Sequence, residues 1–229
     1  HTAKYMHQIL NLSIDAYDEI LKEIDTTNLV EKKGIIYVWT NKNLKSRNLE
    51  IKVRNDLGIK QKFLSTNEIL KLEPNLNPVF DAGVIYEDAM HARSPHGILK
   101  KIFELFINKG GKFVKAEVQK INQVNSNQTE IVTEKQSYKF EKSVIACGAF
   151  SKKITDQLGE NIPLDTERGY HVHFKHMDKL IERPVIFLDR GFGLTPMNQG
   201  LRAVGTVELG GLKNPPSKKR IKYLIRCAK

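Results

Sequence analysis

Between Ser94 and Leu158 the hydrophobic pattern changes period twice, which no all-helical and no all-strand fold accommodates. Ser94 is a strong N-cap and Pro95 suits a first helical turn. Ile98, Leu99, Ile102, Phe103 and Phe106 then recur at three- and four-residue spacing until Gly110-Gly111 stops the pattern, which predicts a helix. Behind it come Phe113–Val114, Val118–Val124, Glu130–Thr133 and Ser137–Phe140, short segments separated by turn-forming residues, the pattern of a β-meander. Ser143-Val144-Ile145-Ala146-Cys147 next runs apolar into Gly148-Ala149-Phe150-Ser151, with helix from there to Leu158. Strand, glycine turn, helix is the order that brings a backbone close to a ligand.

The flanks mix both periods. Tyr5, Ile9, Leu12, Ala16, Ile20 and Ile24 make one face of a helix over Thr2–Ile24, predicted to pack on a core. Gly34–Thr40 reads as a strand and Leu44–Leu57 as a helix. Ser65 caps a short helix, Ile69 to Leu72, that the proline-rich 74–78 stretch ends. Beyond residue 160, Tyr170, Val172 and Phe174 alternate with His171, His173 and Lys175. Val185–Leu188, Gly191–Thr195 and Leu201–Leu209 follow, and two or three antiparallel strands are implied before a basic helix over Lys218–Cys227. The fold class is therefore α+β, in the mixed α/β sense.

Composition excludes several functions. No apolar run approaches the roughly 20 residues that span a bilayer. Two cysteines cannot staple a secreted domain, and a reducing, cytoplasmic setting is expected. The net charge of +11 suggests a nucleic-acid partner at first sight, yet seven basic and no acidic residues fall between Lys213 and Lys229. The excess is thus mostly terminal, no zinc-finger or RNP-type motif accompanies it, and no nucleic-acid partner is expected. Peripheral contact with a membrane surface is left open by that basic tail. The chain opens on His1 rather than Met and stops inside an amphipathic pattern, so it is read as an internal piece of a longer protein.

No G-x-G-x-x-G, P-loop or H-E-x-x-H is present, and Gly191-Phe192-Gly193-Leu194-Thr195 runs into Pro196 where a phosphate-binding helix would begin. No nucleophile is paired with a base in the sequence, so no catalytic residue is assigned. Cys147, at the end of an apolar strand, reads as a buried inert thiol. His171 and His173 share a strand face but lack a third ligand, so no metal is expected. Residues alone also allow a non-catalytic α+β binding domain with a basic surface.

Several segments, taken in order, are similar to a known family: Gly83–His91, Ser94-Pro95 with its helix to Gly110-Gly111, Ala116–Val118, Val144–Ser151, Arg168–His171, Thr195-Pro196 and Leu201–Glu208. They resemble the flavin-dependent oxidases and dehydrogenases of D-amino acids, glycine and sarcosine, and most of all the D-amino-acid dehydrogenase branch. The resemblance implies an antiparallel-sheet substrate domain over 1–87 and 161–229, interleaved with a partial FAD-binding domain over 88–160. It also implies that the N-terminal βαβ unit cradling the FAD pyrophosphate lies outside this sequence, as does a C-terminal segment that often supplies an arginine for the substrate carboxylate. FAD is then expected in the longer parent and not retained by this piece alone.

On the same basis Val118 matches a position whose backbone meets the adenine, and Ala146, Cys147 and Gly148 match a strand end passing close to the nucleotide. His91, Tyr170, His171, Thr206 and Glu208 become candidates for binding a small amino acid or amine. Strand alternation lets only one of Tyr170 and His171 face a pocket. The implied reaction is hydride transfer from the substrate Cα to flavin N5, with the hard chemistry carried by the cofactor. Oxidases of D-amino acids carry tyrosines near the strand that holds Phe192-Gly193 here, and this chain lacks them. Oligomeric state is not assigned.

Overall fold

The computed structural model describes residues 2–40 and 44–229. In chain order its first elements are helices α1 (Thr2–Leu10) and α2 (Ser13–Leu21), strands β1 (Val30–Glu31) and β2 (Ile35–Trp39), helix α3 (Leu44–Asp56), strand β3 (Lys62–Ser65) and helix α4 (Thr66–Leu72). Strands β4 (Ala82–Tyr86) and β5 (His91–Ala92), helix α5 (Pro95–Asn108) and strands β6 (Val118–Asn125), β7 (Gln128–Thr133) and β8 (Ser137–Phe140) follow. The last are helix α6 (Ser151–Thr155), strands β9 (Arg168–Lys175), β10 (Val185–Phe187), β11 (Phe192–Met197) and β12 (Gly200–Glu208), and helix α7 (Lys218–Cys227). They fall into two units, His1–Gly110 with Gly169–Thr206 and Ser217–Lys229, and Gly111–Arg168 with Val207–Pro216.

In the first unit a seven-stranded sheet has the order β3-β4-β2-β10-β11-β12-β9. Its β10–β11–β12 meander is antiparallel as the alternation predicts, whereas β2 and β10 pair in parallel. Register places Ile36, Ile85, Val185, Phe187, Leu194, Leu201 and Ala203 on one face. That face is buried together with Ile69 of α4 and Leu224 of α7, so the sheet and two short amphipathic helices make the core. Ser65 caps α4 through a full capping box with Glu68. Gly83 lets that helix approach, because a Cβ there would sit 2.7 Å from the Tyr37 carbonyl oxygen and 2.9 Å from Ile69 Cδ1. Past α4, the buried Glu73 carboxylate accepts the main-chain N–H groups of Glu182 (2.9 Å) and Arg183 (3.1 Å), clamping the approach to β10.

The expected helix Thr2–Ile24 is two helices broken at Asn11-Leu12 and supported there by Ser13 Oγ, which donates to the Leu10 carbonyl at 2.6 Å. Neither helix buries a residue, and Tyr5, Ile9 and Leu12 are exposed, so the predicted packing face is uncovered. Helix α5 is capped by Ser94 as the sequence predicts, Oγ accepting from the Gly97 N–H at 3.1 Å.

The second unit holds the predicted meander β6-β7-β8 around Ile121, with Ile154 of α6 also buried. Two expectations fail there. Phe113–Val114 is not a strand, and neither is Ser143–Cys147. An apolar run becomes a strand only when a neighbouring strand completes its ladder, and among the described residues none pairs with it. Cys147 is accordingly exposed rather than buried.

Candidate functional site

The sheet's outer face, opposite the core, carries the first set of candidates. On β9 the alternation is resolved: Tyr170 points into the core, and its hydroxyl accepts the Ser217 N–H at 2.8 Å. His171 and His173 point the other way, exposed, with their rings edge to face at 5.2 Å. Partial burial holds the His171 imidazole below its ordinary pKa, and the nearby Arg202 and His173 push it the same way. His171 is therefore neutral near pH 7, able to donate or accept a hydrogen bond.

On β12, Leu201 and Ala203 are buried in the core, so Arg202 between them projects from the outer face, directly opposite Thr195 of β11. Its Nε is buried with no hydrogen-bond partner. Four positions on, Thr206 adopts a left-handed backbone with φ of 59°, a strained geometry for a β-branched residue, and its Oγ1 is also buried without a partner. Gly205 is required beside it, since a Cβ there would lie 2.5 Å from the Gly191 carbonyl oxygen. One strand inward, Ile186 Cδ1 occupies the space over Gly193, 2.4 Å from where a Cβ would be.

His91 lies elsewhere in this unit, on the two-stranded β1–β5 sheet. It lines an apolar cavity of about 350 Å³ with Tyr17, Leu21, Met90, Ile98 and Ile102. Neither ring nitrogen has a hydrogen-bond partner. Burial lowers its pKa, against the pull of the Glu31 carboxylate 3.8 Å away. Glu31 is itself held by Arg93 at 3.2 Å, and Arg93 Nε donates to Asn198 in the β11–β12 turn at 3.0 Å.

The second unit holds the remaining candidates. Glu208 pairs with Arg168 at 3.4 Å. Val118 opens β6, half-buried. Ala146, Cys147 and Gly148 are exposed, and the Cys147 N–H donates to Ser151 Oγ at 3.1 Å. Gly148 has φ of +53°, and a Cβ there would meet nothing within 4 Å. Among the described residues, no group of three or more His, Cys, Asp or Glu is placed to hold a metal ion, and no helix is long and apolar enough to cross a membrane.

Residues 1–229, the whole chain, match the family described as DAO, FAD dependent oxidoreductase. The chain belongs to this FAD-dependent oxidoreductase family. It is 28% identical over 223 residues to a D-amino-acid oxidase of Bradyrhizobium diazoefficiens, covering 97% of this chain and 53% of that protein. It is 24% identical over 221 residues to a D-amino acid dehydrogenase of Vibrio vulnificus, covering 94% and 53%. The chain thus spans about half the length of the curated relatives it matches. Among solved structures, glycine oxidase from Geobacillus kaustophilus shares its fold with a TM-score of 0.79 at 18% identity, over 95% of this chain and 59% of that one. L-alpha-glycerophosphate oxidase from Mycoplasma pneumoniae with FAD bound superposes with a TM-score of 0.76 at 20% identity, over 99% and 62%.

The family's cofactor is FAD. The segment 146–148 is compatible with such a group, because its side chains are small, its surface is exposed and the space at Gly148 is open.

Proposed function

We propose that this chain supplies the substrate-binding sheet and part of the flavin-binding region of an enzyme that oxidises D-amino acids or related small amines. The observation that supports this reading is the family match along all 229 residues, reinforced by relatives named D-amino-acid oxidase and D-amino acid dehydrogenase. In this reading 1–87 and 161–229 belong to the substrate domain and 88–160 to the FAD domain. When bound, FAD would supply the redox chemistry, taking up the electrons lost at the substrate Cα.

The chain's own residues then bind and orient. Val118, Ala146, Cys147 and Gly148 present backbone to the nucleotide, and Gly148 avoids the side chain that would block approach. On the sheet, His171 and Thr206 face the substrate. Tyr170, with its ring in the core, positions β9. Neutral His171 hydrogen-bonds the substrate without itself needing to titrate. His91, with two unpartnered ring nitrogens, is the candidate in the first unit that most lacks a hydrogen-bond partner of its own.

The test uses the complete open reading frame that contains this chain, purified with FAD. Anaerobic addition of D-amino acids, glycine, sarcosine and proline is expected to bleach the flavin with at least one of them. No bleaching across that panel refutes the amino-acid reading. The 229-residue chain alone is expected to be colourless, and a yellow preparation with stoichiometric FAD shows that the nucleotide site has been misplaced.

A further inference from the structure

We infer that Ile186, lying over Gly193, sets how long a side chain the bound substrate can carry; this rests on the amino-acid reading above. Strand register lines up Tyr37, Ile186, Gly193 and Val204 in one row straight across the outer face of the sheet. None of the four carries a charge. At the β2 end the row is covered by helix α3, whose Arg54 guanidinium stands 5.9 Å from the centre of the Tyr37 ring. Toward β12 the row is more open, with Ile186 and Val204 each only partly buried. Alternation along β12 puts Arg202, Val204 and Thr206 on the same face, so this uncharged row runs between two polar positions of the candidate site. A substrate held by His171 and Thr206 has the row beside it for its side chain.

The glycine in the middle of the row makes its depth adjustable. Glycine inside a strand weakens it, and is found where another backbone or a ligand must come close. At Gly83 and Gly205 the crowding is main chain, since a Cβ would lie 2.7 Å from the Tyr37 carbonyl oxygen and 2.5 Å from the Gly191 carbonyl oxygen. Gly193 differs from both. Its φ is not positive, and the place of its Cβ is taken by Cδ1 of Ile186, the far end of a flexible side chain. The Val185 carbonyl oxygen comes next at 3.4 Å, an ordinary contact. Main chain cannot vacate such a space, whereas a methyl group at the tip of an isoleucine can. The depth available over Gly193, with Val204 on its far side, is therefore decided by the size and rotamer of residue 186.

The experiment uses the complete FAD-loaded protein and three straight-chain probes, D-alanine, D-2-aminobutyrate and D-norvaline, each longer than the last by one methylene. Calorimetry under nitrogen with FAD held reduced gives Kd without turnover, and kcat/KM is measured with FAD oxidised. Each methylene that gains a buried place is worth about fourfold in affinity. Ile186→Ala clears the space over Gly193 and is expected to raise the affinity for D-norvaline relative to D-alanine about tenfold, with D-2-aminobutyrate in between and the kcat/KM ratios following. Adding Gly193→Ala returns one carbon to that space and should take back about fourfold of the gain, while FAD per chain stays constant in both variants. An unchanged ratio in Ile186→Ala overturns the assignment, as does a gain that Gly193→Ala leaves intact or a wild type that binds none of the three. Equal weakening of all three overturns it too, because it marks Ile186 as support for the sheet alone. Affinities that shift as expected without any oxidation keep the role of Ile186 and remove the activity. Oxidation with unshifted ratios keeps the activity and removes the role of Ile186.

Discussion

Thr206 is the position where strain and the candidate site coincide, and replacing it separates the two. A left-handed backbone costs an ordinary L-residue about 1–2 kcal/mol, and the branched Cβ of threonine is among the least suited to it. Glycine removes that strain, but its looser unfolded chain takes back about 0.5–1 kcal/mol. The Oγ1 buried without a partner carries a further desolvation cost of about 1–3 kcal/mol, which also disappears. Thr206→Gly is therefore expected to stabilise the protein by about 1–4 kcal/mol, against the usual direction for a point substitution. Urea unfolding of the complete protein measures this as a raised midpoint at unchanged slope. If the strain is kept because the hydroxyl serves the substrate, kcat/KM falls about tenfold or more in the same variant, the trade expected of a strained functional residue. A variant destabilised by more than about 1 kcal/mol refutes the strain argument. One that is stabilised with unchanged kinetics refutes the functional part.

Three further expectations follow from the same structure. Glu73→Ala should cost about 2–4 kcal/mol in chemical denaturation, because it leaves the main-chain N–H groups of Glu182 and Arg183 without their acceptor, while the Arg183 guanidinium keeps Glu182 and the Leu72 carbonyl. Burial raises the Glu73 carboxyl above its ordinary value of 4.5, so the folded protein holds that proton more tightly than the unfolded chain. The contribution of Glu73 is then most favourable below pH 4.5 and declines as pH rises toward the raised value, a slope that Glu73→Gln should remove from the stability–pH curve. Gly148→Val in the complete protein should lower bound FAD, read as flavin absorbance per chain, while the exposed Lys152→Gln leaves it unchanged. Tyr170→Phe should lose the Ser217 contact and about 0.5–1.5 kcal/mol of stability with little effect on KM, whereas His171→Ala should alter KM or kcat at unchanged stability. The reverse pattern would place the wrong face of β9 toward the substrate.

Local chemistry was legible in the sequence wherever a residue's role is set by its near neighbours. Ser65 and Ser94 cap their helices because a short side-chain oxygen three residues from a free N–H needs no tertiary help. The meander over 118–140 forms because its turns close strands that are adjacent in the chain. Alternation in β9 correctly set Tyr170 against His171, and only burial could say which of them faces the core. Other features depended on partners distant in sequence. Ser143–Cys147 has the composition of a buried strand, yet a strand is completed by its neighbour's hydrogen bonds, and composition cannot supply one. The parallel pairing of β2 with β10 joins residues some 150 positions apart, beyond the reach of any local pattern. The Glu73 clamp on Glu182 and Arg183, the buried and unpartnered Nε of Arg202 and the left-handed Thr206 are likewise set by what the folded chain brings, or fails to bring, within hydrogen-bonding distance. Periodicity records which way a side chain points, and the tertiary fold alone decides what it meets there.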